Sequence, residues 1–356
     1  MNIQLKLFEV LRTLASIIIS IAVVAVILAA VSAQPGAALS SFLIGPFSNF
    51  SRFGNVVEMM IPLTFTGLAV CVIFKANQFN LITEGSFYSA AVTAAAVAIY
   101  VPLPPVLLPM FAILAGMFTG GALAAVPAII KVKTGSNILV VSLMLNYIAA
   151  LLGRYVSTNV FRDPASGSGS SYRFQIIARM PNIVPGTRIH FGFIIMIVSV
   201  ALVALLVYRT KLGYSIRMVG LNERFAAYSG IHVNRTIILS QIIGGVFAGI
   251  GGTVEMLGMY NRFSWVGTPG FGWDAIIISI LANGNPLLIP VAAFFLSSIR
   301  IGADTMNMTS DVPAEMVAIV QAVMILLLVS KKFLSTIRSR IVHKAAIKSS
   351  TQEVAE

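Results

Sequence analysis

The sequence predicts an all-α integral membrane protein of about ten transmembrane helices with both termini in the cytoplasm. Three observations carry this. Of 356 residues, 58% are hydrophobic and only 10% charged, against roughly 25% charged in a soluble domain. The apolar residues fall into runs long enough to span a bilayer. The cations cluster beside those runs.

A spanning helix needs about 20 mostly apolar residues. Clear candidates are Thr13–Ala33, Val57–Phe74, Val106–Ile130, Ile138–Val156, Phe191–Tyr208, Ile237–Met259 and Met316–Val329. Phe87–Val101 is a weaker, Ala-rich candidate. Ala275–Leu281 and Leu287–Ile301 flank the short link Asn283-Gly284-Asn285-Pro286. The first run follows Lys6 and Arg12 and ends at Val31-Ser32-Ala33, which looks like a cleavage site. It is longer than the 7–15 residues or so of a signal-peptide core, so it is read as an uncleaved span. Glycines at 116, 120, 121, 244, 245, 249, 251 and 252 let helices approach closely in lipid, where packing rather than hydrophobicity joins them.

Orientation follows from Lys and Arg. With the N-terminus inside, the inner segments hold Lys6, Arg12, Lys75, Lys131, Lys133, five cations between Arg209 and Arg235 and six after Val329, sixteen of the 24. Residues 1–340 then form one transmembrane domain with an extracellular loop at 159–190 and a cytoplasmic loop at 209–235. Residues 341–356 form a polar tail expected to be disordered. The outer loop carries Arg162, Arg173, Arg179 and Arg188, against the charge bias, but long loops translocate with less regard to charge. The net charge of +12 therefore belongs to the membrane surface, and no nucleic-acid partner is expected. Cys71 lies inside an apolar run with no second cysteine to pair with.

No phosphate-binding GxxxxGK[ST] loop occurs, so this chain is not expected to hold ATP. His190, His232 and His343 are far apart, without metal-ligand spacing, and read as solvated loop or tail residues. No cluster of His, Asp and Ser suggests catalysis. Polar residues inside spans are more informative, since an intramembrane carboxylate usually faces the protein interior or a watery path. Glu255 lies deep in the seventh span, and Glu84 opens the third. Asn137 and Asn146 bracket the fifth, with Tyr147 beside the second of these. Helix–helix bonding explains such residues as readily as a pathway does. Glu58, Asp304 and Asp311 read as solvated interfacial groups.

In the cytoplasmic loop, Asn222 can cap a short helix holding Phe225, Ala226, Ala227 and Tyr228, ended by Gly230. So short a helix needs something to pack on. It can be its own membrane domain or a cytosolic partner.

At this loop the sequence resembles the permease subunits of ABC importers for ribose-type sugars and nucleosides. The resemblance rests on Gly220-Leu221-Asn222, then Ala226-Ala227 and Gly230-Ile231, then the glycines from 244 to 252. The nucleoside branch is nearer. Phe79-Asn80-Leu81-Ile82-Thr83-Glu84-Gly85 stands where that branch has an FNIG-x-EG pattern. Gly135-Ser136-Asn137-Ile138 with Met144-Leu145-Asn146-Tyr147 stands for its GxNE…MLNY pattern. Val312-Pro313, Glu315 and Gln321 fit as well. Ile82, Ser86 and Ile138 depart from these patterns, so the cargo can differ from ordinary nucleosides.

The resemblance implies two halves of inverted topology, roughly the second to fifth and seventh to tenth spans. It implies a pathway for a nucleoside or simple sugar, opened by alternating access. The candidate pathway residues are Phe79, Asn80, Glu84, Asn137, Asn146, Tyr147 and Glu255, with Phe271 or Trp273 as further faces for a base or sugar. Gly220, Asn222, Glu223, Ala226, Ala227, Gly230 and Ile231 would couple to a separate ATPase subunit. Implied partners are that ATPase, a second or sister permease, an extracytoplasmic binding protein or lipoprotein, and the lipid of a bacterial cytoplasmic (inner) membrane. No cofactor is expected in this chain; ATP and magnesium would sit on the ATPase. The runner-up is a secondary transporter using Glu84 and Glu255 as proton or sodium groups.

Overall fold

The computed structural model describes residue 19 and residues 21–166 and 170–329. The start of the first expected span and the polar tail at 341–356 lie outside these. Among the described residues thirteen α-helices can be followed: α1 Ile21–Val31, then α2 Pro35–Leu43, α3 Phe50–Lys75, α4 Thr83–Tyr100, α5 Leu107–Thr134, α6 Ile138–Tyr155, α7 Gly192–Arg209, α8 Lys211–Leu221, α9 Glu223–Tyr228, α10 Val233–Met259, α11 Phe271–Leu281, α12 Ile289–Thr309 and α13 Ala314–Val329. Among the described residues the β structure amounts to isolated bridges such as Arg173 with Arg262 and Asn182 with His190.

Among the described residues six helices are long and apolar enough to cross a membrane. They are α3, α5, α6 with its continuation to Val160, α7, α10, and α12 with the turn before it. Shorter apolar helices include α1 and α11. At 11 residues, α11 is about 16 Å long, too short to cross a bilayer alone.

The chain divides into two compact units, residues 49–298 and the remainder, with α12 running through the division. In the smaller unit, the loop between α12 and α13 meets the end of α1. Asp311 accepts from the Ser32 hydroxyl at 2.6 Å and from the Ala33 N–H at 2.7 Å.

The larger unit is built around α3 and α10, whose apolar lengths are mostly buried. Helix α5 lies against α10 at backbone contact. A Cβ at Gly120 would sit 2.4 Å from the Gly245 carbonyl oxygen, and one at Gly249 would sit 2.2 Å from that of Gly116. Two glycines four apart on each helix let the axes close to a distance no larger residue permits. Helix α5 stops where Gly135 takes a left-handed conformation (φ 71°), with Lys131 and Lys133 facing the negative helix end. Asn137 then caps α6 by accepting from the Leu139 N–H.

Two stretches interrupt the helices beside α10. Between α3 and α4 the chain turns through Asn77, held at φ 54°, and runs irregularly to Ile82. Between α10 and α11 it is irregular from Tyr260 to Gly270. Both breaks feed into the next helix inside the packed unit. The fold differs from the sequence expectation at the start of α3, which begins seven residues before Val57 and draws Glu58 into the core.

Candidate functional site

The first break supplies backbone groups that no helix satisfies, and side chains satisfy them. Asn80, wholly buried, donates to the Gln241 side chain of α10 at 2.7 Å and accepts from the Ile82 N–H at 3.0 Å. Asn146 of α6 accepts from the Gly85 N–H at 2.9 Å and donates to the Leu81 carbonyl at 2.8 Å. The Ser142 hydroxyl accepts from the Leu81 N–H. Position along α10 fixes the level. Asn80 meets Gln241, and the Phe87 carbonyl lies against Gly252. Helix α4 therefore starts about halfway along α10.

Glu84 lies between these levels in the first turn of α4. Its carboxylate accepts from the backbone N–H of Gly270 at 2.7 Å and of Gly272 at 2.5 Å, so it also caps α11. One carboxylate thus faces the positive ends of two helices. Gly272 is required here, since a Cβ would lie 2.4 Å from the Glu84 nitrogen. Above this point Trp265 is ringed by Phe87, Tyr88, Tyr260 and Phe263, with centroids 5.4–6.2 Å away.

The predicted pathway residues thus separate. Asn80, Glu84 and Asn146 converge on the break and are buried. Phe79 is half exposed and stacks on Phe74. Asn137 is an exposed cap, Tyr147 points outward at 71% exposure, Phe271 is buried and Trp273 partly exposed. Sequence reasoning missed Gln241 and Ser142, polar residues inside apolar helices that hold the same break.

Glu255 joins a different group. One potential ligand atom from each of Glu58, His190 and Glu255 lies within 4.8 Å of the others, and all three residues are buried. This corrects two expectations. Glu58 is not solvated, because α3 starts early and carries it inside. His190 is 0% exposed, because the loop between α6 and α7 is laid against the helix ends: the Met180 N–H donates to the Leu257 carbonyl, that of Phe174 to Asn261 and that of Gln175 to Ala98. No sequence signal located that packing.

The expected coupling residues form a compact element. Asn222 ends α8 and caps α9, its side chain accepting from the Phe225 N–H at 3.0 Å. Ala226 is buried against Val219 and Ile237, with Ile231 packed on them. Gly230, at φ 80°, ends the helix. Gly220 lies so close to α3 that a Cβ would fall 2.0 Å from the Lys75 carbonyl oxygen. Glu223 accepts from Gln78, which also accepts from Lys131, tying α9 to the first break and to the end of α5. Leu221, Phe225 and Tyr228 are 81%, 55% and 92% exposed, and Ala227 is exposed beside them.

Residues 52–329 match the family described as branched-chain amino acid transport system, permease component. The chain is 28% identical to the guanosine ABC transporter permease protein of Bacillus subtilis over 96% of this chain and 99% of that one. It is 29% identical to a glucose ABC transporter permease protein of Haloferax volcanii over 91% and 88%. It is 27% identical to a nucleoside ABC transporter permease protein of Lactococcus lactis over 92% of each.

Proposed function

The chain belongs to the permease-component family of the branched-chain amino acid transport systems, and from that premise we propose how its parts work. It is the membrane-spanning permease subunit of an ATP-driven ABC importer for a nucleoside or simple sugar, a multi-pass membrane protein and not an enzyme. ATP and magnesium belong to a separate ATPase at the cytoplasmic face. Cargo reaches the outer face on an extracytoplasmic binding protein or lipoprotein, and a second permease, identical or sister, completes the pathway.

The observation that carries the coupling role is the α8–α9 element. Its inner side is anchored by Ala226, Gly220 and Glu223, while Leu221, Phe225, Ala227 and Tyr228 face outward. An exposed apolar cluster on a rigid mount suits a protein partner. Motion there would pass through Gln78 to the break at 76–82, and so to Asn80 and Glu84.

The ten spans, cytoplasmic termini and inverted halves are part of the same reading. Two helices that start inside the unit, α4 and α11, meet at Glu84 with their N-termini together. Discontinuous helices meeting near mid-depth are what inverted repeats use to build a central site for alternating access. In that arrangement Asn80, Glu84 and Asn146 hold the two half-helices in register. Phe79, Asn137 and Tyr147 line other stretches of the route or its rim, while Glu255, buried with Glu58 and His190, is left out of this lining.

The test is a gentle detergent pull-down from the native membrane with ATPase assay. Co-purification of an ATPase whose turnover rises with a binding protein plus a nucleoside or sugar supports the reading. A chain that comes free of any ATPase, in cells whose uptake stops when the proton gradient is discharged at constant ATP, overturns it.

A further inference from the structure

We propose that Glu58, His190 and Glu255 form a binding site for a divalent transition cation of the zinc type, where the outer loop crosses the end of α10. The three residues come from α3, from the loop before α7 and from α10. They are 5%, 0% and 3% exposed, and one potential ligand atom from each lies within 4.8 Å of the others.

Two polar atoms in this group are left over. Oε2 of Glu255 and Nε2 of His190 are buried with no hydrogen-bond partner, although buried polar atoms nearly always have one. The imidazole itself is firmly placed. A Cβ at Gly258 would lie 2.4–2.5 Å from three of its ring atoms, and one at Gly192 would lie 2.6 Å from Cε1. Two glycines therefore shape the slot that holds the ring. The loop is pinned on either side by the Phe191 N–H donating to the Pro181 carbonyl and by the bridge between Asn182 and His190.

Charge and donor type point to the occupant. With both carboxylates ionised and the imidazole neutral the group carries minus two, Arg188 lies near enough to Glu58 to offset part of it, and burying the remainder unpaired is strongly unfavourable. A dication neutralises it. One nitrogen and two oxygen donors suit zinc and its first-row neighbours, with a position left for water. Tetrahedral bonds of 2.0–2.2 Å require donors about 3.3 Å apart, so ligand atoms now within 4.8 Å of one another must draw together on loading. The ring pays a single contact. Nδ1 now accepts from the Gly192 N–H at 3.2 Å, so coordination at Nδ1 displaces that bond, and coordination at Nε2 moves the ring proton to Nδ1 and breaks it too. Loading would join α3, α10 and the start of α7 into one block.

The experiment uses the full-length chain in lipid nanodiscs, stripped with chelator and titrated with zinc or cobalt, with metal counted after gel filtration. It needs no substrate, ATP or partner, so it stands or falls apart from the transport reading. The background is His232→Gln, which removes an exposed imidazole. We expect one zinc per chain, visible absorption on cobalt binding, and at least hundredfold weaker binding in Glu255→Gln and Glu58→Gln. His190→Gln should behave alike if it folds. No retained zinc, or retention unchanged in both glutamate variants, would overturn the site and leave a proton or a water as its occupant.

Discussion

The carboxylate of Glu84 accepts the backbone N–H of Gly272 at 2.5 Å, from a residue 188 positions away. With the bond from Gly270, it makes one side chain the N-terminal partner of α11 while it sits in the first turn of α4. Charge-assisted bonds of this kind are each worth about 1.5–3 kcal/mol. They join the two interrupted stretches of the larger unit, so Glu84 is first a structural residue on which any pathway role rests.

Glu84→Gln should therefore lower the thermal stability of the purified chain as well as its transport. The amide can accept one N–H but presents its own N–H groups to the other, leaving a buried donor unmet at about 1–3 kcal/mol. Melting followed by gel filtration reads this directly. An unchanged melting temperature with lost uptake would show that the charge serves the cargo instead.

Much of this arrangement was legible in the sequence. Glu84 and Asn146 stood out as polar residues in apolar runs, Asn80 came with the resemblance at 79–85, and Asn222 and Gly230 marked a capped helix. The partners were not legible. Gln241 and Ser142 look like ordinary polar substitutions until the break at 76–82 supplies the unsatisfied groups that need them. His190 followed the general pattern of a loop histidine, because nothing local records that the loop before α7 lies on Gly258. Glu58 was misplaced for a simpler reason. Phe50 to Val56 includes Arg52 and Asn55, so hydropathy started the helix late, whereas the structure continues it outward.

The contact between α5 and α10 gives a sharp packing test. Gly249→Val places a side chain 2.2 Å from the Gly116 carbonyl oxygen, backbone that cannot move without shifting the helix. Overpacking typically costs about 1–3 kcal/mol, occasionally more, and the variant should melt early or fail to accumulate. Gly36→Ala is the control. Nothing lies within 4 Å of the added Cβ, and Ala favours helix over Gly by about 1 kcal/mol, so this variant should match or exceed the parent.

Asp311 supplies a pH test outside the spans. The Ser32 hydroxyl and the Ala33 N–H hold its carboxyl below the ordinary aspartate value. A depressed folded pKa means the unfolded chain takes up the proton first. The stabilisation is thus complete above the unfolded value, near 3.9, and is lost as pH falls through the folded one. Asp311→Asn should melt slightly below the parent at neutral pH, with the difference closing in strong acid. A gap that stays constant down to pH 2 would mean the charge plays no part.

Ala226 and Ala227 are neighbours with opposite surroundings, and the pair separates folding from coupling. Ala226 is buried on Val219 and Ile237, so Ala226→Arg forces a charge into an apolar contact and should prevent stable folding. Ala227 is exposed, so Ala227→Arg should fold, melt like the parent and reach the membrane. In that variant the ATPase would no longer drive uptake, because the new side chain stands in the face formed by Phe225 and Tyr228. Uptake and ATP turnover measured together in reconstituted vesicles decide it. Uptake falling at least tenfold while melting is unchanged assigns the exposed face to the ATPase. Normal uptake in Ala227→Arg would remove α9 from the coupling interface and leave Gly220 and Glu223 as contacts within the chain alone.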